Sequence, residues 1–294
     1  MKSVKLTILL LLSLLAENSF AQAVSSYVGI QDSLTKVCSI IWKQKTDSGR
    51  LQANDVFFRQ FHTALDSKSF ISDPFDSIIG ITHVASQDGK LRIYTWNVPL
   101  SDGTNKYFGF IKLSYDSLHV IQLQSVKQDE AGFETEQFTP QSWYGAIYYK
   151  LIQEKVGENQ IYTLLGWDGY TANSNRKMID ILSLDKKGNI VFGMPIFKTD
   201  KGIKLRVVME YAEKASMLLR YDYQAIKIQK RKKIKKEDTW LIVMDRMIPM
   251  DASMAGNRMY YVPAGDTYDG FVFRNGFWVL AEDIEVTNRQ TGLK

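Results

Sequence analysis

Two hydrophobic periods divide the chain. Ile30, Leu34, Val37, Cys38 and Ile41 recur at the spacing of one helix face. "TDSGR" at 46–50 interrupts that pattern. Asn54 offers a side-chain cap for a second helix, with Phe57, Phe61, Ala64 and Leu65 on one stripe. The spacing therefore predicts a helical hairpin over 27–66. Its apolar face calls for cover from the rest of the chain.

From about residue 75 the period is two. "LRIYTWNV" (91–98) is rich in β-branched and aromatic residues and follows the turn Gln87-Asp88-Gly89-Lys90. "SDGTN" (101–105) turns the chain into "KYFGFIKLSY", and "LHVIQLQSV" (118–126) comes next. This reads as an antiparallel meander. A polar stretch with Pro140 runs over 127–141 and suits a linker or long loop. Beyond it, "GAIYYKLI" (145–152) and "QIYTLLGW" (160–167) flank the turn "QEKVGEN", and "DKKGN" (185–189) leads into "IVFG". "KLRVVMEY" (204–211) alternates cleanly, and the short connection Ala212–Ala215 predicts a hairpin with "SMLLRY" (216–221). Asn275-Gly276 fits the two positive-φ positions of a type I′ turn between "GFVFR" and "FWVLA".

The expected fold is mainly β, an antiparallel meander or sandwich with an N-terminal helical hairpin, and α+β overall. The expected organisation is a signal peptide over 1–21, a helical segment over 22–72 and a β-rich domain over 73–294. Residues 127–141 are a candidate boundary within that domain.

The N-terminus changes the picture of location. Lys2 and Lys5 precede an apolar run from Leu6 to Ala16, and Ser19-Phe20-Ala21 supplies small residues at −3 and −1 of a cut before Gln22. That is the order of a secretory signal. The apolar run is short for a bilayer, and no second one follows, so no transmembrane segment is expected after cleavage near Ala21. The expectation is export, to the periplasm or the outer cell surface. Of 37 basic and 32 acidic residues, loss of Lys2, Lys5 and Glu17 leaves 35 and 31, a mild net charge of +4. The one cysteine, Cys38, cannot form an internal disulfide, so stability must come from a core.

Candidate chemistry is sparse. His62, His83 and His119 lack metal-ligand spacing, and no metal or other cofactor is expected. No serine elbow of the G-x-S-x-G kind occurs. Asp168, Asp245 and Asp251 each fall at or just beyond a strand end, where a pair of acids could hydrolyse a glycoside. Acids there are more often turn formers. "GWDGYTANSNRK" (166–177) reads first as a turn, then as a ligand-facing loop, and last as a calcium loop, because Asp168 is its only acid. "KIQKRKKIKK" (227–236) carries Lys227, Lys230, Arg231, Lys232, Lys233, Lys235 and Lys236. It reads as a solvated hairpin tip, with an anionic polymer or membrane surface as the candidate partner. Export argues against nucleic acid. The methionines from Met244 to Met259 read as core fillers rather than copper ligands. The six tryptophans and many tyrosines could supply a carbohydrate-stacking face, but Trp96, Trp240 and Trp278 fall within strand-like runs and read as core.

From residue 145, "YYKLI…YTLLGWDG…SNRKMIDIL…IVFGMPIF…YAEKASMLLRY…YVPAGDTYDGF" resembles a group of secreted proteins of Bacteroidota-type bacteria without an established activity. "GKLRIYTWNVPLSDGTNKYFGF" (89–110) resembles the same group, so the likeness covers most of the mature chain. It implies export from a Gram-negative cell and carries over no catalytic residue. The functional expectation is an exported cell-envelope binding or scaffold protein with an unknown envelope partner. A carboxylate-based hydrolase of polysaccharide or peptidoglycan is the alternative, and anionic-surface binding through the basic hairpin is a third.

Overall fold

A computed structural model of the protein describes residues 29–66, 75–114, 118–126, 133–185, 188–230 and 233–286. The signal-like segment lies outside these residues. The chain divides into two compact units, one ending at Ile81 and the other beginning at Thr82.

The first unit holds helix α1, described over residues 29–43, and helix α2, Asp47–Asp66. Leu34, Cys38 and Ile41 are buried on α1, and Phe57, Phe61, Ala64 and Leu65 on α2, as the helical spacing predicts. The helix break differs from the expected one. α2 already runs through Asp47–Arg50, and Thr46 caps it, its Oγ1 accepting from the Gly49 N–H at 3.1 Å. Asn54 is a fully buried residue inside α2 rather than its cap. Phe75, in a one-turn 3-10 helix, meets Phe61 edge-on at 5.5 Å between ring centroids.

The second unit is built from strands. β1 (Thr82–Ala85), β2 (Leu91–Pro99), β3 (Asn105–Ser114) and β4 (Leu118–Gln124) form an antiparallel meander in that order. β5 (Ile147–Val156), β6 (Asn159–Asp168) and β7 (Ser174–Leu184) make a second sheet. The edge of β7 pairs with both β8 (Ile190–Phe192) and β11 (Val207–Ala212). The third sheet has the order β10-β9-β15-β14-β13-β12. Its members are β9 (Phe197–Thr199), β10 (Gly202–Lys204), β12 (Leu219–Lys230), β13 (Lys233–Pro249), β14 (Tyr261–Arg274) and β15 (Phe277–Ile284). The pairings are antiparallel except β15 with β9. Asn275 and Gly276 have φ of 50° and 80° and close the β14–β15 hairpin, as a type I′ turn requires.

The hairpin expected between 204–211 and 216–221 does not form. β11 pairs with β7, and β12 pairs with β13, so Ala212–Ala215 carries the chain from one sheet to another. The physical reason is burial. Val207, Met209 and Tyr211 from β11 share a core with Met217, Leu219, Ile242, Met244, Phe271 and Trp278. Stacking one sheet on another buries these apolar faces against each other, which a flat hairpin cannot do.

The β5–β7 sheet lies between two cores. Tyr148, Tyr162, Leu164, Met178 and Leu182 face one core, together with Ile93, Ile111 and Leu123 of the first sheet. Ile161, Leu165, Ile179 and Ile181 face the other, toward the third sheet. Residues 161–166 are therefore buried without a break, and the run reads as continuously apolar. Thr163 is the polar exception, and its Oγ1 accepts from Trp278 Nε1 at 3.0 Å.

Candidate functional site

The alternation of β6 and β7 sets the site. Asp168 and Arg176 are cross-strand partners at the sheet end and share the face that points to the first sheet. Tyr107 comes to that face from β3, and Tyr144 from the segment that leads into β5. Tyr107 Oη donates to Asp168 Oδ1 at 2.8 Å, and Tyr144 Oη donates to Oδ2 at 3.0 Å. Tyr107 Oη also accepts from the Gly169 N–H at 2.7 Å. Arg176 Nη1 approaches Tyr144 Oη at 3.4 Å, and Nη2 pairs with Glu210 Oε2 at 3.2 Å. Ser174 Oγ holds the other Glu210 oxygen at 2.7 Å. The guanidinium lies over the Tyr170 ring, 3.2 Å from its centroid.

Two turns lock against each other beside this cluster. Asn105 accepts from Asn97 Nδ2 at 2.6 Å and donates to the Gly169 carbonyl at 2.7 Å. A Cβ on Gly169 would stand 2.6 Å from Asn105 Nδ2 and 2.7 Å from the Trp167 ring. Glycine is therefore required there for close approach.

Asp168 is only 6 % exposed, yet it lines a cavity of about 710 Å³. Asn105, Gln122, Gln124, Ser125, Phe108 and Tyr170 share the wall. Burial pushes the Asp168 carboxyl up to about 6, against the lowering pull of the two tyrosine hydroxyls and Arg176. Burial, reinforced by the Asp168 charge, also raises Tyr107 and Tyr144 well above the ordinary phenol range, so both are hydroxyl donors.

A second acid on the same face of the sheet, on β7, shows the contrast. Asp180 and Arg206 are both 0 % exposed and approach at 3.2 Å. Arg206 Nη1 also donates to the carbonyls of Phe133 and, at 2.9 Å, Glu136, and its guanidinium lies 4.3 Å from the Phe138 ring centroid. This pair ties the 133–138 segment to the sheet. It is sealed, whereas Asp168 meets open volume.

The acids singled out from sequence do not share one wall. Asp168 is the last residue of β6 and is buried rather than a solvent-facing turn former, while Trp167 is only partly buried. Asp245 accepts from the Leu218 N–H at 2.7 Å on β13. Asp251 is exposed and caps a one-turn helix through Ser253 N–H at 2.9 Å. Neither lines the Asp168 cavity. The basic stretch forms the end of the β12–β13 hairpin, with Lys227 opposite Lys236 and Lys230 opposite Lys233. Arg231 and Lys232, and the side chains of Lys227, Lys230, Lys233 and Lys235, lie outside the described residues. Lys236 is exposed and approaches Glu285 at 3.4 Å.

Trp96 and Trp278 are buried, as the strand pattern predicts. Trp240 is not. It is 53 % exposed and stacks on Tyr221 at 5.1 Å, because its position on β13 falls beyond the cover of the neighbouring sheet. Met244 is buried and Met250 is 61 % exposed, so the methionines do not act as one group. Among the described residues, no cluster of three or more His, Cys, Asp and Glu is placed to hold a metal ion. No helix among them is long and apolar enough to cross a membrane. No family model matches the chain, and no match was found among curated proteins or solved structures.

Sequence reasoning named Asp168 but missed Tyr107, Tyr144, Tyr170, Arg176 and Glu210. A usable signal was present. Arg176 and Asp180 interrupt "NSNRKMIDIL", a run whose apolar residues belong to a strand buried on both faces. Charges there need partners.

Proposed function

We propose that the protein is an exported binding protein of the cell envelope and that its ligand occupies the Asp168 cavity. The carrying observation is the cavity itself, which gathers a buried carboxylate, amides and aromatic rings in one concave wall. The signal-like N-terminus supports the export part of this reading.

A glycoside hydrolase is the weaker reading. It needs two carboxyl groups on either side of the scissile bond. Asp168 has both oxygens engaged by tyrosines, and Asp245 and Asp251 are occupied elsewhere. Glu210 is held by Arg176 and Ser174.

The test is a turnover screen on glycans, peptides and esters with the purified chain and Asp168→Asn. The binding reading expects no turnover from either protein. Turnover abolished by Asp168→Asn would overturn it in favour of the hydrolase.

A further inference from the structure

We infer that the cavity selects a neutral polyhydroxylated ligand, a glycan unit, over charged compounds. This deepens the binding reading and rests on it.

Charge sets the first limit. The cavity wall carries Asp102 and Asp168 together with Lys106 and Arg176, so its charges balance. With no surplus countercharge on that wall, a net anion or a net cation would give up hydration without a matching electrostatic gain. Arg176 is also committed to Glu210 at 3.2 Å and to the Tyr170 ring at 3.2 Å, so its charge is largely answered within the protein. It does not offer the forked pairing that would recognise a carboxylate or phosphate.

Hydrogen-bonding capacity sets the second limit. A carboxylate can accept about four hydrogen bonds. Asp168 takes two from Tyr107 and Tyr144 and retains acceptor capacity on a residue that lines the cavity. Gln122 and Gln124 on β4 add exposed amides to the same wall. An amide both donates and accepts, as a sugar hydroxyl does. A carboxylate that only accepts, beside amides that do both, matches a ring of hydroxyls.

Shape and surface agree. Phe108 and Tyr170 bring half-buried aromatic rings to the wall, suited to the apolar C–H faces of a pyranose. A volume of about 710 Å³ exceeds a single sugar ring and falls within the usual range of small-ligand sites.

The experiment is a glycan array followed by titration calorimetry on the purified full chain. The probes are neutral di- and trisaccharides, their uronic-acid counterparts, their amino-sugar counterparts and simple diamines. The inference expects a neutral glycan to bind at least about tenfold more tightly than its uronate or amine counterpart. It also expects Gln124→Ala and Asp168→Asn each to weaken that binding by about tenfold, the loss of roughly one hydrogen bond to a partner. Gln124 is exposed on an edge strand, so its variant keeps the fold. If only uronates or amines bind, and these variants weaken them, the ligand class is wrong while the binding reading stands. If no probe of any class binds at millimolar concentration, the binding reading falls with it.

Discussion

At the scale of the residue, Asp168 shows how environment outranks composition. An aspartate before a glycine is ordinarily a turn former in water. Here the strand does not end until Asp168 itself, and two tyrosines reach it from other parts of the unit. Its carboxyl titrates near 6 rather than 3.8, and the sign of the consequence follows. Between those values the folded chain holds a proton that the unfolded chain has released. The stabilising contribution is thus full below about 4 and is lost as pH rises through about 6. Keeping the carboxyl ionised at pH 7 costs on the order of 3 kcal/mol of stability, since each tenfold change in an ionisation constant is worth about 1.4 kcal/mol. Asp168→Asn removes this dependence. Urea denaturation of the two proteins should show the variant gaining stability relative to the parent as pH rises from 4 to 7. A difference that stays flat across that range would contradict the assignment.

At the scale of the element, the loop over 133–138 is tied to the sheet by a buried cation, alongside the Lys204–Glu134 pair and backbone bonds of Glu134 and Phe138. Arg206 holds two of its carbonyls and faces Asp180 with no exposed surface on either side chain. Removing one partner of a buried ion pair costs about 3–5 kcal/mol, because the other charge is left without compensation. Arg206→Met should therefore destabilise by that amount in denaturant titrations. Arg206→Met combined with Asp180→Leu should recover most of the loss. A double variant no better than the single one would show that the loop contacts, rather than the charge pair, carry the energy. The alternation of "KLRVVMEY" reveals a strand, but it says nothing of the partner. β11 goes to β7 because that neighbour completes a core.

At the scale of the whole β unit, the middle sheet serves two cores at once. Leu164 faces one and Ile179 the other, and both are fully buried. Truncating a buried leucine or isoleucine to alanine costs about 2–5 kcal/mol. Leu164→Ala and Ile179→Ala should each destabilise the unit by that amount. Because both cores share β6 and β7, the loss should appear in one common transition. Trp143 sits in the first core and Trp278 in the second, and each can be followed by fluorine NMR of fluorotryptophan-labelled protein, with Trp143→Phe and Trp278→Phe assigning the two resonances. Separate midpoints for the two reporters would show that the cores unfold independently.

The amino-acid order alone determined the helical hairpin, most strands, the Asn275-Gly276 turn and the β-rich class. These follow from local period and turn chemistry, which act over a few residues. It also marked Asp168 as a residue to watch. Only the tertiary structure decided which strands pair, that Trp240 stays exposed, and that Tyr107 and Tyr144 meet Asp168 across 61 and 24 residues of chain. Local pattern tells each residue which face it shares. What lies opposite that face is chosen by how the sheets stack, and the cavity wall combines residues of two sheets that no local pattern places together.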